Sequence, residues 1–160
     1  METILRPTLL TVLCILTFIG SGWGIFGGIT NYTSAETAVG ITKDAMEEAK
    51  DKLEDQAKDE KSSKFLGKIM DSVTSGMSVE NVKNSAIANI IASILTLIGA
   101  ILMWGLNKKG FWLYVIGTCV AVLAPAFIIG GFMGIAAAGF GGFIGVLFCV
   151  LYGINLKYMK

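Results

Sequence analysis

The chain has no histidine, two prolines, and no aspartate or glutamate outside residues 36–80 except Glu2. Each absence excludes something. Without histidine, a nucleophile lacks its commonest general base and a metal its commonest side-chain ligand. Cys14, Cys119 and Cys149 all sit in apolar runs and none in the polar segment. That placement excludes a disulfide framework, which would staple the water-facing part, and leaves buried inert thiols. A formal charge of +1 leaves no basic face to neutralise phosphates, which argues against nucleic-acid binding.

What is present is apolar. Of the 160 residues, 54% are hydrophobic and 16% charged, beyond the roughly 45–50% apolar content of soluble domains. The stretch "TLLTVLCILTFIGSGWGIFGGI" (8–29) carries no ionisable group but the Cys14 thiol. At about 1.5 Å per residue it reaches about 33 Å, enough for a hydrocarbon core of roughly 30 Å. "AIANIIASILTLIGAILMWGL" (86–106) does the same, and 111–156 is long enough for two helices with a break near Met133–Gly139. The expected spans are 8–29, 86–106, 111–132 and 137–155. The first is read as an uncleaved span, because its apolar core is too long for a signal peptide and no A-x-A-like site follows. Leu13 before Cys14 also argues against a lipoprotein site.

The expected fold is therefore all-α, a four-transmembrane-helix bundle with an extracytoplasmic helical hairpin between spans one and two. Arg6, Lys108, Lys109 and Lys157 fall in the short segments of one side, and the opposite turn, near 133–136, is uncharged. The positive-inside rule then puts both termini in the cytoplasm and residues 30–85 outside. Trp104, Trp112, Tyr114, Tyr152 and Tyr158 flank the lysine-bearing ends, at the depth where amphipathic rings collect.

The outer segment holds eight lysines against eleven acids. Glu48–Lys52, Glu54–Lys58 and Glu60–Lys64 are i,i+4 pairs on a solvated helix over 42–61, whose thin apolar stripe is Ala38, Ile41, Ala45, Ala49, Leu53 and Ala57. A second helix, capped by Ser62 or Ser63 and stopped at Gly76, carries a stronger stripe of Phe65, Leu66, Ile69, Met70 and Val73. Ser78 can cap a further helix running into span two. Asn31-Tyr32-Thr33 has glycosylation spacing but lies at the membrane surface.

Gly22-Trp23-Gly24-Ile25-Phe26-Gly27 spells GxGxxG. A dinucleotide fingerprint needs a strand before it and a βαβ unit around it, and here the glycines lie inside an apolar span. They read instead as a helix seam: Gly20, Gly24 and Gly28 are four apart, and small residues there admit a neighbouring backbone. Gly141, Gly145, Cys149 and Gly153 form a second row, and Gly130, Gly134, Ala138 and Gly142 a third. Such rows leave room for a homo-oligomer. Asn89, Ser93 and Thr96 place polar groups on one face of span two, and Pro125 is expected to kink span three.

No Asp, Glu, His, Lys or Arg lies at membrane depth, where coupled transporters and proton channels carry them. The outer carboxylates interleave with lysines and lack the central glycine of a calcium loop. The sequence thus predicts no catalytic residue, no metal and no cofactor. "RPTLLTVLCILTFIGSGWG" (6–24) and "LMWGLNKKGFWLYVIGT" (102–118) resemble a group of small four-span inner-membrane proteins of Bacteroidota-type bacteria, in which an Arg-Pro-Thr start and a Lys-Lys-Gly-Phe-Trp turn recur. That resemblance implies a multi-pass inner-membrane protein and supplies no activity. The long loop is also similar to that of claudin-like proteins, but residues 30–85 lack their tryptophan and paired cysteines. Two functions are carried forward. One is a non-enzymatic structural or interaction component, held in the lipid bilayer and offering 42–75 to an extracytoplasmic partner. The other is a small-solute or ion pathway formed by an oligomer along Asn89, Ser93 and Thr96.

Overall fold

A computed structural model of the chain describes residues 7–56 and 60–160. Among them are six α-helices: α1 (Thr8–Thr33), α2 (Ala35–Gln56), α3 (Glu60–Gly76), α4 (Val79–Trp104), α5 (Lys109–Ile128) and α6 (Gly131–Asn155), followed by a 3-10 turn at Leu156–Tyr158. The described chain is all-α. In α1, α4, α5 and the Gly141–Tyr158 stretch it has four segments long and apolar enough to cross a membrane.

Much of the large apolar surface of these four helices faces outward. Ile19, Trp23, Phe127 and Phe143 point outward, 66%, 76%, 83% and 75% exposed, while Ser21, Ser93, Gly28 and Gly117 are buried. In water that surface would be an uncovered apolar patch. In hydrocarbon it carries no penalty, and helices associate through small residues and polar contacts instead.

α4 is the central helix, packing most extensively against α5 and α1, while α6 packs chiefly against α5. A large-residue core closes one end: Leu10, Leu13, Cys14, Met103, Tyr114, Tyr152 and Met159 cluster there. The last residue locks this end, since Lys160 N–H donates to the Leu106 carbonyl (2.7 Å) and Lys108 N–H donates to the Lys160 carbonyl (2.9 Å). Leu106 takes φ 62° to turn the chain from α4 into α5. Asn107 Oδ1 then accepts the Lys109 N–H at 3.0 Å, satisfying a donor at the start of α5.

The turn between the last two spans falls at Ile129–Gly130, earlier than the expected break at Met133–Gly139 and the expected turn at 133–136. Gly130 has φ 64°, a conformation costly for any residue with a Cβ. Pro125 lies in the last turn of α5 and not at mid-helix. Its missing N–H therefore removes one bond just before the helix ends, where continuation is least needed.

At the other end α2 follows α1 after one residue. Ser34 N–H donates to Thr30 (2.9 Å) and Ala38 N–H to Ser34 (2.8 Å), so helical bonding crosses the junction. α2 thus begins at Ala35 and not at Thr42. Its packed stripe also differs from expectation: Ala35 and Val39 are buried and Thr42 and Met46 half-buried, whereas Ala38, Ile41 and Ala45 are exposed. The face is set by what α2 meets, α3 and the start of α4, and that rotates it one position from the alanine stripe. Ser62 and Ser63 lie inside α3 and do not cap it. Ser78 does cap α4, accepting the Asn81 N–H at 3.0 Å.

Candidate functional site

Three places could carry function: the seam between α1 and α4, the hollows along the inner face of α4, and the surface of α2 and α3.

The seam is built from a row on α1 with alternating spacings of four and three, Cys14, Thr17, Ser21, Gly24 and Gly28. Each member finds a partner. The Cys14 thiol reaches the Ala100 carbonyl at 3.7 Å. Thr17 Oγ1 shares a hydrogen bond with Tyr152 OH at 2.8 Å, and Ser21 Oγ one with Thr96 Oγ1 at 2.9 Å. Gly24 lies against Ser93 and Asn89, and Gly28 against Ile90 and the Ala86 carbonyl. Of the three predicted intramembrane polar residues, Thr96 also donates to the Ser93 carbonyl (3.0 Å) and Ser93 donates to Asn89 Oδ1 (3.2 Å). Only the Ser21–Thr96 bond crosses from α1 to α4; the other two run along α4 and link its three polar residues. In hydrocarbon, bonds of this kind contribute about 0.6 kcal/mol each on average.

Not every predicted glycine belongs to a seam within the chain. A methyl added at Gly20, Gly141 or Gly153 would meet nothing within 4 Å. Gly20 and Gly141 are exposed, because the helices bury rows that drift between spacings of three and four, not the strict four-residue row that was counted. Gly145 does pack, against Thr118 of α5, with Gly142 against Val122 and Gly134 against the Pro125 carbonyl and Ala126.

The closest backbone contact between helices lies outside the predicted small-residue rows. A Cβ on Gly99 would stand 2.8 Å from both the Gly110 carbonyl oxygen and the Tyr114 nitrogen. One on Gly117 would stand 3.0 Å from the Ala92 carbonyl oxygen. Gly110 and Gly117, seven apart on α5, thus let its backbone touch that of α4 directly. Their signal was available: a heptad pair of glycines facing Ala92 and Gly99, also seven apart.

Two hollows line the inner face of α4. One, of about 210 Å³, lies at mid-depth among Thr17, Ser21, Thr96, Tyr114, Ile144 and Phe148. Tyr114 in its wall pairs with the Tyr152 ring, centroids 4.8 Å apart. The other, of about 240 Å³, lies at the α2–α3 end between residues of α1, α4 and α5, and Pro125 is in its wall. Beside it the Ser85 hydroxyl is buried and has no hydrogen-bond partner. A buried orphan of this kind costs about 1–3 kcal/mol.

The third place is held by ion pairs. Glu36 at the base of α2 accepts from Lys83 of α4 at 2.9 Å, and Lys50 of α2 donates to Asp71 of α3 at 3.1 Å. The hydrogen bond and charge of Lys83 hold the Glu36 carboxyl below the usual glutamate range. Asn81 Nδ2 adds a bond to the Gly76 carbonyl (3.0 Å), and Gly76 rests on Ile129 of the α5–α6 turn. Glu48–Lys52 forms as an i,i+4 pair at 2.6 Å. The expected pairs Glu54–Lys58 and Glu60–Lys64 fall on side chains outside the described residues. A groove of about 300 Å³ runs between the two helices at Met46, Lys50, Met70 and Asp71. Beyond it Ile41 and Phe65 are each 65% exposed.

The predicted topology-setting lysines gather at one end. Lys108 and Lys109 are exposed in the α4–α5 turn that the C-terminal residue pairs with, and Lys157 is exposed beside them in sequence and over the Tyr158 ring. Arg6 lies outside the described residues. Among the described residues no cluster of His, Cys, Asp and Glu could hold a metal ion. Compared with protein-family models, curated proteins and solved structures, the chain matches none.

Proposed function

We propose that this chain is a non-enzymatic integral membrane component of a bacterial inner membrane. Its four helices bundle to anchor an extracytoplasmic hairpin, α2–α3, that docks a protein partner. Both termini and the Lys108–Lys109 turn stand in the cytoplasm, in keeping with the positive-inside rule. The observation that carries the reading is the contrast between the base of the hairpin and its faces. The base is tied to the spans by Glu36–Lys83 and by Gly76 on Ile129, whereas Ile41 and Phe65, outside any span, stay uncovered. An element fixed at its root with apolar residues facing outward is shaped for contact.

A photo-crosslinking residue at Phe65 tests this in cells. The expected result is one recurrent protein adduct, lost when Ile41 and Leu66 are changed to serine while the chain stays membrane-inserted. Adducts to lipid alone, or none, would contradict it.

The pathway reading has weaker support. Ser93 and Thr96 commit their hydroxyls to bonds within the α1–α4 seam, a use that favours packing over conduction. Solute flux in liposomes that vanishes with Asn89→Leu would restore it.

A further inference from the structure

The hollow beside Pro125 has the make-up of a ligand site. Proline offers no N–H, so the Ala121 carbonyl four residues earlier has lost its helical donor. Ala121 and Pro125, one turn apart on the same face of α5, both line the hollow. On the facing helix, Ser85 and Asn89 are one turn apart and line the same space. Asn89 receives the Ser93 hydroxyl through Oδ1, which leaves its amide N–H donors for another partner. Asn31 supplies a further amide from the last turn of α1. Donors and acceptors are thus both present and none of these groups is charged. The rest of the wall is alanine, valine and isoleucine. At about 240 Å³ the hollow is several times the roughly 30 Å³ share of one water and has room for a ligand group.

We propose that this hollow binds an uncharged amphiphile, with a hydroxyl or ester group held by the Asn89 amide and the Ala121 carbonyl and an apolar part along Ala124 and Pro125. The site is independent of whether the hairpin docks a partner. Pro125 has a chemical role here: it frees a carbonyl for the ligand.

Native mass spectrometry of the full chain in detergent tests the proposal, with dioctanoylglycerol and glycerol titrated in parallel. Pro125→Ala returns a donor to Ala121, so it should raise the melting temperature while weakening dioctanoylglycerol binding about 5-fold, the scale of one hydrogen bond. Ala124→Leu fills the space and should weaken binding at least as much. Should that variant fail to fold, Asn89→Ala takes its place. Binding of dioctanoylglycerol alone identifies a membrane lipid as the source, and equal competition by glycerol identifies a free solute. No binding of either probe to the parent chain, or binding that Pro125→Ala leaves unchanged, overturns the site.

Discussion

Adding one methyl at Gly99 tests the packing account at its tightest point. The new carbon would stand 2.8 Å from the Gly110 carbonyl oxygen and the Tyr114 nitrogen, about 0.6 Å inside the 3.4 Å where ordinary contact begins. Both obstructing atoms are backbone, so no side chain can rotate away; α4 and α5 must separate along their shared length. Overpacking of this kind costs about 1–3 kcal/mol, and the loss of close dispersion contact on either side adds to it. Gly99→Ala should therefore destabilise the chain by about 2 kcal/mol, close to a 30-fold shift in the unfolding equilibrium. Gly20→Ala is the matched control. Nothing lies within 4 Å of its added methyl, and alanine gains up to about 1 kcal/mol of helix propensity over glycine. The two substitutions are chemically identical and should move stability in opposite directions. Reversible unfolding in mixed detergent micelles, or steric trapping in bicelles, measures both. Equal effects from the two variants would refute the claim that close backbone approach holds α4 to α5.

Removing the Thr17–Tyr152 bond (2.8 Å) should give a small coupling, about 0.6 kcal/mol, in a double-mutant cycle of Thr17→Val and Tyr152→Phe. Ser78→Ala removes the cap on the Asn81 N–H and should cost about 1 kcal/mol, read as faster amide exchange in the first turn of α4. The Glu36–Lys83 tie should be pH-dependent. Because Lys83 lowers the Glu36 pKa, its contribution is present above the ordinary glutamate value of about 4.3 and lost as pH falls through the lower folded value. The protection factor for amide exchange at the base of α2 should fall in acid in the parent chain and stay constant in Lys83→Ala.

Much of the fold was legible because long apolar runs without charge have few alternatives to a membrane helix. α1, α4 and α5 all overlap the spans read from hydropathy. Boundaries were harder where glycine is abundant. Between Pro125 and Gly145 many positions could have held the turn, and only the backbone picks out Gly130 by its positive φ. The junction at Ser34 was hidden for the opposite reason, since nothing in Asn31–Glu36 forces a helix to stop or to continue. The seams were half legible. Gly24 and Gly28 stood out by spacing, but a four-residue row included Gly20, while the buried row runs through Ser21. Gly99, Gly110 and Gly117 are legible only by matching the seven-residue spacing of one helix against that of the next, since neither spacing alone names a partner. The hollow at Pro125 was not legible at all: Asn31, Ser85 and Ala121 come from three helices.

The most direct test of the whole account is topology. Single cysteines at Asp51 and Lys108, in a chain with its three native cysteines replaced, can be probed with a membrane-impermeant maleimide on intact cells. Four crossings with the hairpin outside predict labelling at residue 51 and none at residue 108 until the membrane is permeabilised. Labelling of both positions, of residue 108 alone, or recovery of the chain in the aqueous fraction without detergent would contradict it.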